Sequence, residues 1–135
     1  MEIKFIDFTI KGDKRGSLVA LEENKDIPFN IKRIYYLFGT RPGVRRGYHA
    51  HKKLKQVIIA LSGSCKIFLD DGKSQKTVEL NKPYQGLYLD KLIWREMFQF
   101  SEDCVLVIIA DDYYSEEDYI RNYQEFQKVV EDVNS

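Results

Sequence analysis

The sequence lacks a charge excess of either sign and lacks long apolar runs. Lys and Arg together number 21, and Asp and Glu also number 21, so the formal net charge is zero. Because phosphate neutralisation supplies much of the affinity for nucleic acids, their binding proteins normally carry a basic excess. The longest apolar run, at 105–110, is far too short to cross a bilayer. We therefore expect neither a nucleic-acid partner nor a membrane partner.

Features of an exported protein are also missing. The first ten residues contain no basic region followed by a long apolar stretch, so we expect no signal peptide. Cysteine is scarce: Cys65 and Cys104 each lie at the edge of an apolar, strand-like segment. In a chain without export signals, free structural thiols are expected rather than a disulfide. These absences predict a cytoplasmic location.

The residues that are present predict one all-β domain over 1–135. Hydrophobic residues make up 44% of the chain and aromatic residues 13%, which is enough for a packed core. Short apolar segments alternate with turn signals such as Asp70-Asp71-Gly72, and this pattern is typical of a sandwich or barrel. The predicted strands cover 6–10, 17–21, 31–38, 56–61, 65–69, 75–80, 86–89, 95–100 and 104–110.

The C-terminal segment changes period. Ser115-Glu116-Glu117-Asp118 resembles a capping box, in which the serine hydroxyl accepts a backbone hydrogen bond. Ile120, Tyr123, Val130 and Val133 follow at helical spacing. We therefore predict one amphipathic helix over 116–131, packed against the sheet.

The only two histidines of the chain, His49 and His51, flank Ala50. In a strand, residues i and i+2 point to the same face, so both imidazoles would enter one space. Imidazole titrates near neutrality and is suited to removing and returning protons. Taken alone, the pair is equally consistent with two solvent-facing side chains on an edge strand.

The spacing of the histidines resembles the first cupin motif. Gly43, His49, His51 and Gly63 match that motif, whereas Gln56 stands where the metal-binding glutamate of cupins belongs. The second cupin motif is degraded, since no histidine follows His51. A neutral amide is a poor partner for two imidazoles on a transition metal. The resemblance implies a jelly-roll barrel with the histidines inside, and we expect no metal and no other cofactor.

A closer resemblance extends over nearly the whole chain. It is to the cupin-type sugar 3,4-ketoisomerases, the WxcM-like, FdtA-type enzymes that act on dTDP-4-keto-6-deoxyglucose. It implies a cupin jelly-roll barrel with a C-terminal α-helix, forming a homodimer by exchange of N-terminal strands. The segments that carry it are 13–16, 46–52, Gln56, 61–64, 94–97, 112–114 and 117–123.

The resemblance implies an acid–base isomerisation of a dTDP-linked sugar. The C4 ketone acidifies the hydrogen on C3, a histidine removes it, and a proton returns to C4 through an enediol. We expect His49 and His51 to carry the protons, arginines to meet the diphosphate and aromatic rings to stack on the ligand. The predicted substrate-binding residues are Arg33, Tyr35, Arg41, Arg46, Tyr48, Gln56, Trp94 and Arg95.

Three alternatives remain open from the sequence. A sugar-nucleotide 3,5-epimerase would use related chemistry, but such enzymes generally pair one histidine with an aspartate. A metal-dependent cupin oxygenase is opposed by Gln56 and by the missing third histidine. A non-catalytic sugar-binding cupin would bind the nucleotide sugar without converting it.

Overall fold

Two five-stranded antiparallel sheets form the body of the molecule in the computed structural model, which describes residues 1–135. One α-helix, α1 (Tyr123–Asn134), closes the chain. The strands are β1 Lys4–Asp7, β2 Lys11–Asp13, β3 Gly16–Leu18, β4 Arg33–Leu37, β5 Arg46–His51, β6 Gln56–Ser62, β7 Cys65–Asp70, β8 Gln75–Leu80, β9 Gln85–Leu89, β10 Trp94–Phe98, β11 Val105–Ala110 and β12 Tyr119–Ile120.

The strand order mixes neighbours that are distant in sequence. The first sheet runs β1-β9-β6-β11-β4 and the second runs β12-β5-β10-β7-β8, while β2 and β3 form a separate hairpin. Chain order and sheet order differ because consecutive strands pass from one sheet to the other, as in a jelly roll. This arrangement confirms the fold class expected from the sequence.

The main core lies between the two sheets. It contains Ile58 and Leu106 from the first sheet and Ile67 and Met97 from the second. Because side chains alternate along a strand, the neighbours of these residues point outward. Val57 of β6, for example, packs on the outer face of its sheet with Phe8, Ile27 and Phe29.

The helix covers the outer face of the second sheet. Phe126 and Val130 are buried against Ala50, Trp94 and Ile120. Ala50 is therefore small because it lies beneath the helix, while its neighbours on either side face the space between the sheets. This outer layer anchors β5 and β10, the strands that carry the candidate site.

The predicted helix begins too early. Residues Glu116–Asp118 form a single 3-10 turn, and Tyr119–Ile120 pair with β5 before α1 starts at Tyr123. Ser115 makes no capping hydrogen bond; instead, the side chain of Asn122 accepts one from the Glu125 N–H at 2.9 Å. Burial of Ile120 in the outer layer favours the extended backbone over helix continuation.

The predicted strands are otherwise largely present, with shorter ends near the N-terminus. β1 stops at Asp7, and of the second predicted segment, 17–21, only Ser17 and Leu18 are extended, within β3. The Asp70-Asp71-Gly72 signal does form the β7–β8 turn, where Gly72 has φ 92°. Both cysteines are free and buried, which confirms the expectation of structural thiols. No helix has the length and apolar character needed to cross a membrane.

Candidate active site

A β-bulge in β5 shapes the site. His49 pairs with Arg95 and Gly47 pairs with Glu96, so Tyr48 has no partner on β10. Gly47 has φ 101° and Tyr48 has φ 53°, both in the left-handed region. A Cβ on Gly47 would lie 3.0 Å from the Arg95 carbonyl oxygen, so the close approach of the two strands requires glycine here. Bulges of this kind re-aim side chains beside functional sites.

The two imidazoles share one face of β5, as the alternation predicts. Their ring centroids are 5.0 Å apart with the planes nearly perpendicular. His49 Nδ1 lies 3.0 Å from the Gly47 carbonyl oxygen, and His51 Nδ1 lies 3.0 Å from Asp118 Oδ2. Because each Nδ1 faces an acceptor, we assign the ring proton there, which leaves each Nε2 with a lone pair.

Both imidazoles are held neutral. Burial, followed by the positive charge of Arg95, lowers the pKa of His49 to about 4. The same two causes lower the pKa of His51 to about 2, with His49 adding to the effect. At physiological pH both imidazoles are therefore unprotonated with Nε2 free, which is the form that a general base requires.

A buried cation lies beside the histidines, on the neighbouring strand β10. Arg95 is only 2% exposed, and it donates from Nη1 to Gln56 Oε1 and from Nη2 to the Ile93 carbonyl oxygen at 3.1 Å. Gln56 Nε2 in turn donates to the Tyr35 hydroxyl at 2.8 Å. No carboxylate pairs with Arg95, and burial lowers its pKa to about 10, so it remains charged at neutrality. The site therefore offers an anion a buried positive charge that has no direct ion-pair partner.

This donor set does not suit a metal ion. Gln56, in the position of the cupin metal glutamate, is engaged by a guanidinium and a phenol. The chain contains no cluster of three or more His, Cys, Asp or Glu side chains placed to hold a metal. A buried arginine beside the two imidazoles also opposes cation binding by charge repulsion.

A cavity of about 230 Å³ opens between the sheets beside these residues. His49 borders it, whereas His51 lies directly behind, with its ring centroid 4.4 Å from that of Tyr119. A larger cavity of about 420 Å³ lies by Lys52–Leu54 and Asp111–Asp118 and contains no predicted site residue. The residues lining the smaller cavity are Tyr35, Leu37, Arg46, Gly47, His49, Gln56, Ile58, Arg95, Met97, Ile108, Tyr119 and Arg121.

The structure brings together five of the predicted residues at this cavity. They are Tyr35, Arg46, His49, Gln56 and Arg95. Arg33 lies next to them, with its guanidinium carbon 4.9 Å from the Tyr35 ring centroid.

Three predicted binding residues lie elsewhere. Trp94 is buried under α1, because its neighbour Arg95 faces the cavity and alternation turns Trp94 outward. Its indole N–H donates to Glu96 Oε2 at 2.8 Å. Tyr48 is exposed at the bulge, and Arg41 is exposed in the loop before β5. None of the three borders the cavity, and their stacking and phosphate-binding roles stay predictions.

Three residues of the site were missed because the segment 116–131 was interpreted as a helix. Asp118 holds His51, Tyr119 contacts both imidazoles, and Arg121 borders the cavity with its guanidinium 4.1 Å from the Tyr119 ring centroid. The pairing of Tyr119 with His51 across β12 and β5 places them there. Two signals were available in the sequence: Tyr119 and Arg121 alternate about the apolar Ile120, and the segment 117–123 is among those that carry the family resemblance.

The fold and the paired histidines are those of a cupin. The chain belongs to the FdtA family, described as WxcM-like, C-terminal, whose model matches residues 1–131. A curated relative, the TDP-4-oxo-6-deoxy-alpha-D-glucose-3,4-oxoisomerase of Aneurinibacillus thermoaerophilus, is 52% identical over 134 residues, covering 99% of this chain and 96% of the relative.

Solved structures agree with this assignment. A 3,4-ketoisomerase from Helicobacter canadensis has a TM-score of 0.94 at 50% identity, covering 97% of this chain and 98% of that one. A mutant of the 3,4-ketoisomerase QdtA from Thermoanaerobacterium thermosaccharolyticum, in complex with TDP-4-keto-6-deoxyglucose, has a TM-score of 0.94 at 47% identity, with coverage of 96% and 94%. The resemblance inferred from the sequence motifs is confirmed.

Proposed function

We propose that this enzyme isomerises dTDP-4-keto-6-deoxyglucose to a dTDP-3-keto-6-deoxyhexose by acid–base catalysis, within the biosynthesis of unusual deoxysugars. The observation that carries the proposal is the joint placement of two neutral imidazoles and the buried cation Arg95. The names of the relatives support the reaction class and the substrate.

Proton transfer is the work of the histidines. An imidazole Nε2 takes the C3 hydrogen, which the adjacent C4 ketone acidifies, and a proton is returned to C4 while another passes from O3 to O4. The carbonyl thereby moves from C4 to C3 without a redox cofactor, because the two carbons exchange oxidation state. His49, which borders the cavity, and His51, directly behind it, are close enough to divide removal and return.

The enediolate formed between these steps carries negative charge on O3 or O4. Arg95 has no carboxylate partner and lies at the cavity, so its charge is available to that intermediate. Tyr35 accepts from Gln56, which leaves the phenol hydrogen free to donate to a substrate oxygen. Preorganised donors of this kind stabilise developing charge without reorganising in the reaction.

The diphosphate is assigned to Arg46. Arg45 is paired with Glu96 and Arg121 with Glu116, whereas Arg46 is exposed at the rim of the cavity and forms no ion pair within the chain. A guanidinium without an internal partner can meet phosphate oxygens with two charge-assisted hydrogen bonds. Arg33, beside Tyr35, is the second candidate.

We also propose that the chain works as a single-domain homodimer in the cytoplasm. β1 is the outer strand of its sheet and pairs only with β9 of its own chain, so its other edge is open to a second copy. β4, at the opposite edge, exposes Ile34 and Tyr36, and Phe38 directly after it is also exposed. Free buried thiols and a nucleotide-linked substrate are typical of a cytoplasmic enzyme.

Product NMR after incubation with dTDP-4-keto-6-deoxyglucose and EDTA tests the function. A ketoisomerase yields a product with its carbonyl carbon at C3. A 3,5-epimerase keeps the carbonyl at C4 and, in D2O, places deuterium at C3 and C5. The 3,5-epimerase is included as an alternative because such enzymes generally pair a histidine with an aspartate, and His51 is paired with Asp118 in this way. Binding without turnover would indicate a non-catalytic cupin, and turnover that EDTA abolishes and zinc or iron restores would contradict a metal-independent reaction.

A further inference from the structure

The two imidazoles differ in what holds them. Both use Nδ1 at 3.0 Å, but the acceptor is the neutral Gly47 carbonyl for His49 and the Asp118 carboxylate for His51. His51 is also the more deeply placed, at 1% exposure, and its Nε2 has no hydrogen-bond partner within the chain. The Asp118 carboxylate therefore contacts one nitrogen of the His51 ring, while the other nitrogen, Nε2, makes no hydrogen bond within the chain.

The carboxylate itself is fixed from several sides. Its Oδ1 accepts from the Lys53 N–H at 2.8 Å, while Oδ2 faces His51. The Asp118 backbone carbonyl accepts from the Lys52 N–H at 2.9 Å, and the Asp118 N–H donates to the Ser115 carbonyl at 3.1 Å. A side chain held in this way sets the orientation of its partner rather than following it.

We propose, on the basis of the isomerase function above, that Asp118 is a positioning residue that selects the Nδ1–H tautomer of His51. With the proton held on Nδ1, Nε2 carries the lone pair. When Nε2 accepts a proton, the ring becomes an imidazolium cation whose charge lies beside the Asp118 carboxylate, and returning that proton restores the starting state. Asp118 binds no substrate atom and acts only through His51.

The substitution Asp118→Asn gives a sharp prediction. Because the Lys53 N–H needs an acceptor, the new amide oxygen will face it, and the amide NH2 will face His51 Nδ1. His51 must then accept at Nδ1 and carry its proton on Nε2, where it can no longer act as a base. We expect kcat to fall about a hundredfold or more, the typical contribution of a general acid or base, with KM and dTDP affinity changed less than about threefold.

The matched control is Glu117→Gln, which removes one negative charge from the adjacent exposed position without touching a histidine. It is expected to keep wild-type kcat. Circular dichroism and thermal unfolding will show that both variants are folded.

Long-range ¹H–¹⁵N NMR of the imidazoles gives a readout that does not depend on turnover. The chain has only two histidines, so spectra of the wild type and of His49→Asn assign the His51 signals. We expect the Nδ1–H pattern in the wild type and the Nε2–H pattern in Asp118→Asn. A wild-type proton on Nε2, or an Asp118→Asn variant with wild-type kcat, would overturn the proposal. If the wild type fails to convert the keto sugar, the proposed function fails, and the tautomer spectra alone decide the role of Asp118.

Discussion

Acid should destabilise this protein more steeply than its carboxylates alone would, because both of its histidines are held neutral in the folded state. An imidazole in the unfolded chain takes up a proton near the ordinary value of 6.5, whereas folded His49 does so near 4 and folded His51 near 2. Between those values the unfolded state binds more protons than the folded state. The contribution of the two neutral histidines to the free energy of unfolding is therefore fully present above pH 6.5, and it is lost as the pH falls toward 4.

The size of the effect follows from this difference. Each histidine lowers the free energy of unfolding by about 1.4 kcal/mol per pH unit within its window. Between pH 7 and pH 5 the pair accounts for about 4 kcal/mol, a large part of a stability that is typically about 5–15 kcal/mol. His49 and His51 contribute about equally over this range, because both folded values lie below pH 5.

Urea unfolding at pH 7, 6 and 5, followed by circular dichroism at one protein concentration, measures the effect. The comparison is with His49→Asn, His51→Asn and the double variant, which keep every carboxylate of the wild type. The double variant is expected to lose about 4 kcal/mol less than the wild type over this range, and each single variant about 2 kcal/mol less. Parallel pH dependences for the wild type and the double variant would show that folding does not lower the pKa of the histidines. If the wild type loses only about 2 kcal/mol more than the double variant between pH 7 and pH 5, then Asp118 keeps the pKa of His51 near its ordinary value.

Three further predictions follow from the placement of single residues and strands. Arg46→Ala should weaken dTDP binding at least about tenfold by calorimetry, while the matched control Arg41→Ala should leave dTDP binding unchanged. Equal losses would mean that the two arginines act through diffuse positive charge and not through a specific contact by Arg46. Trp94→Phe should lower the free energy of unfolding by about 1 kcal/mol without changing dTDP affinity, because it removes a partly buried hydrogen bond outside the cavity. Weakened dTDP binding would show that Trp94 contributes to the site. Sedimentation at micromolar concentration should show a dimer, and a monomer alone would count against the proposed assembly.

Much of the fold was predictable because its signals are local. Alternation of apolar residues identified the strands that form the two sheets, and the Asp-Gly turn marked the β7–β8 connection. The C-terminal segment was mispredicted because Ile120 and Tyr123 fit a helical period as well as an extended one. The choice between them depends on a pocket formed by Ala50, Trp94 and Phe126, and no local pattern describes that pocket.

The candidate site shows the same division. The period of two placed His49 and His51 on one face, and the cupin spacing identified Gln56 as the departure from a metal site. Asp118 comes to His51 from 67 positions away, through strand pairing that spacing does not reveal. Trp94 and Arg95 are neighbours on opposite faces of β10, and only the structure shows which of them meets the cavity.

We expect the two imidazoles to carry the protons of the ketoisomerisation. The most direct test is the rate of 3-keto product formation from dTDP-4-keto-6-deoxyglucose, followed by NMR in EDTA, for the wild type, His49→Asn and His51→Asn. We expect turnover by the wild type and a loss of about a hundredfold or more in each folded variant, as is typical when a general acid or base is removed. A wild-type rate in either variant would contradict it, because one imidazole would then be dispensable for proton transfer.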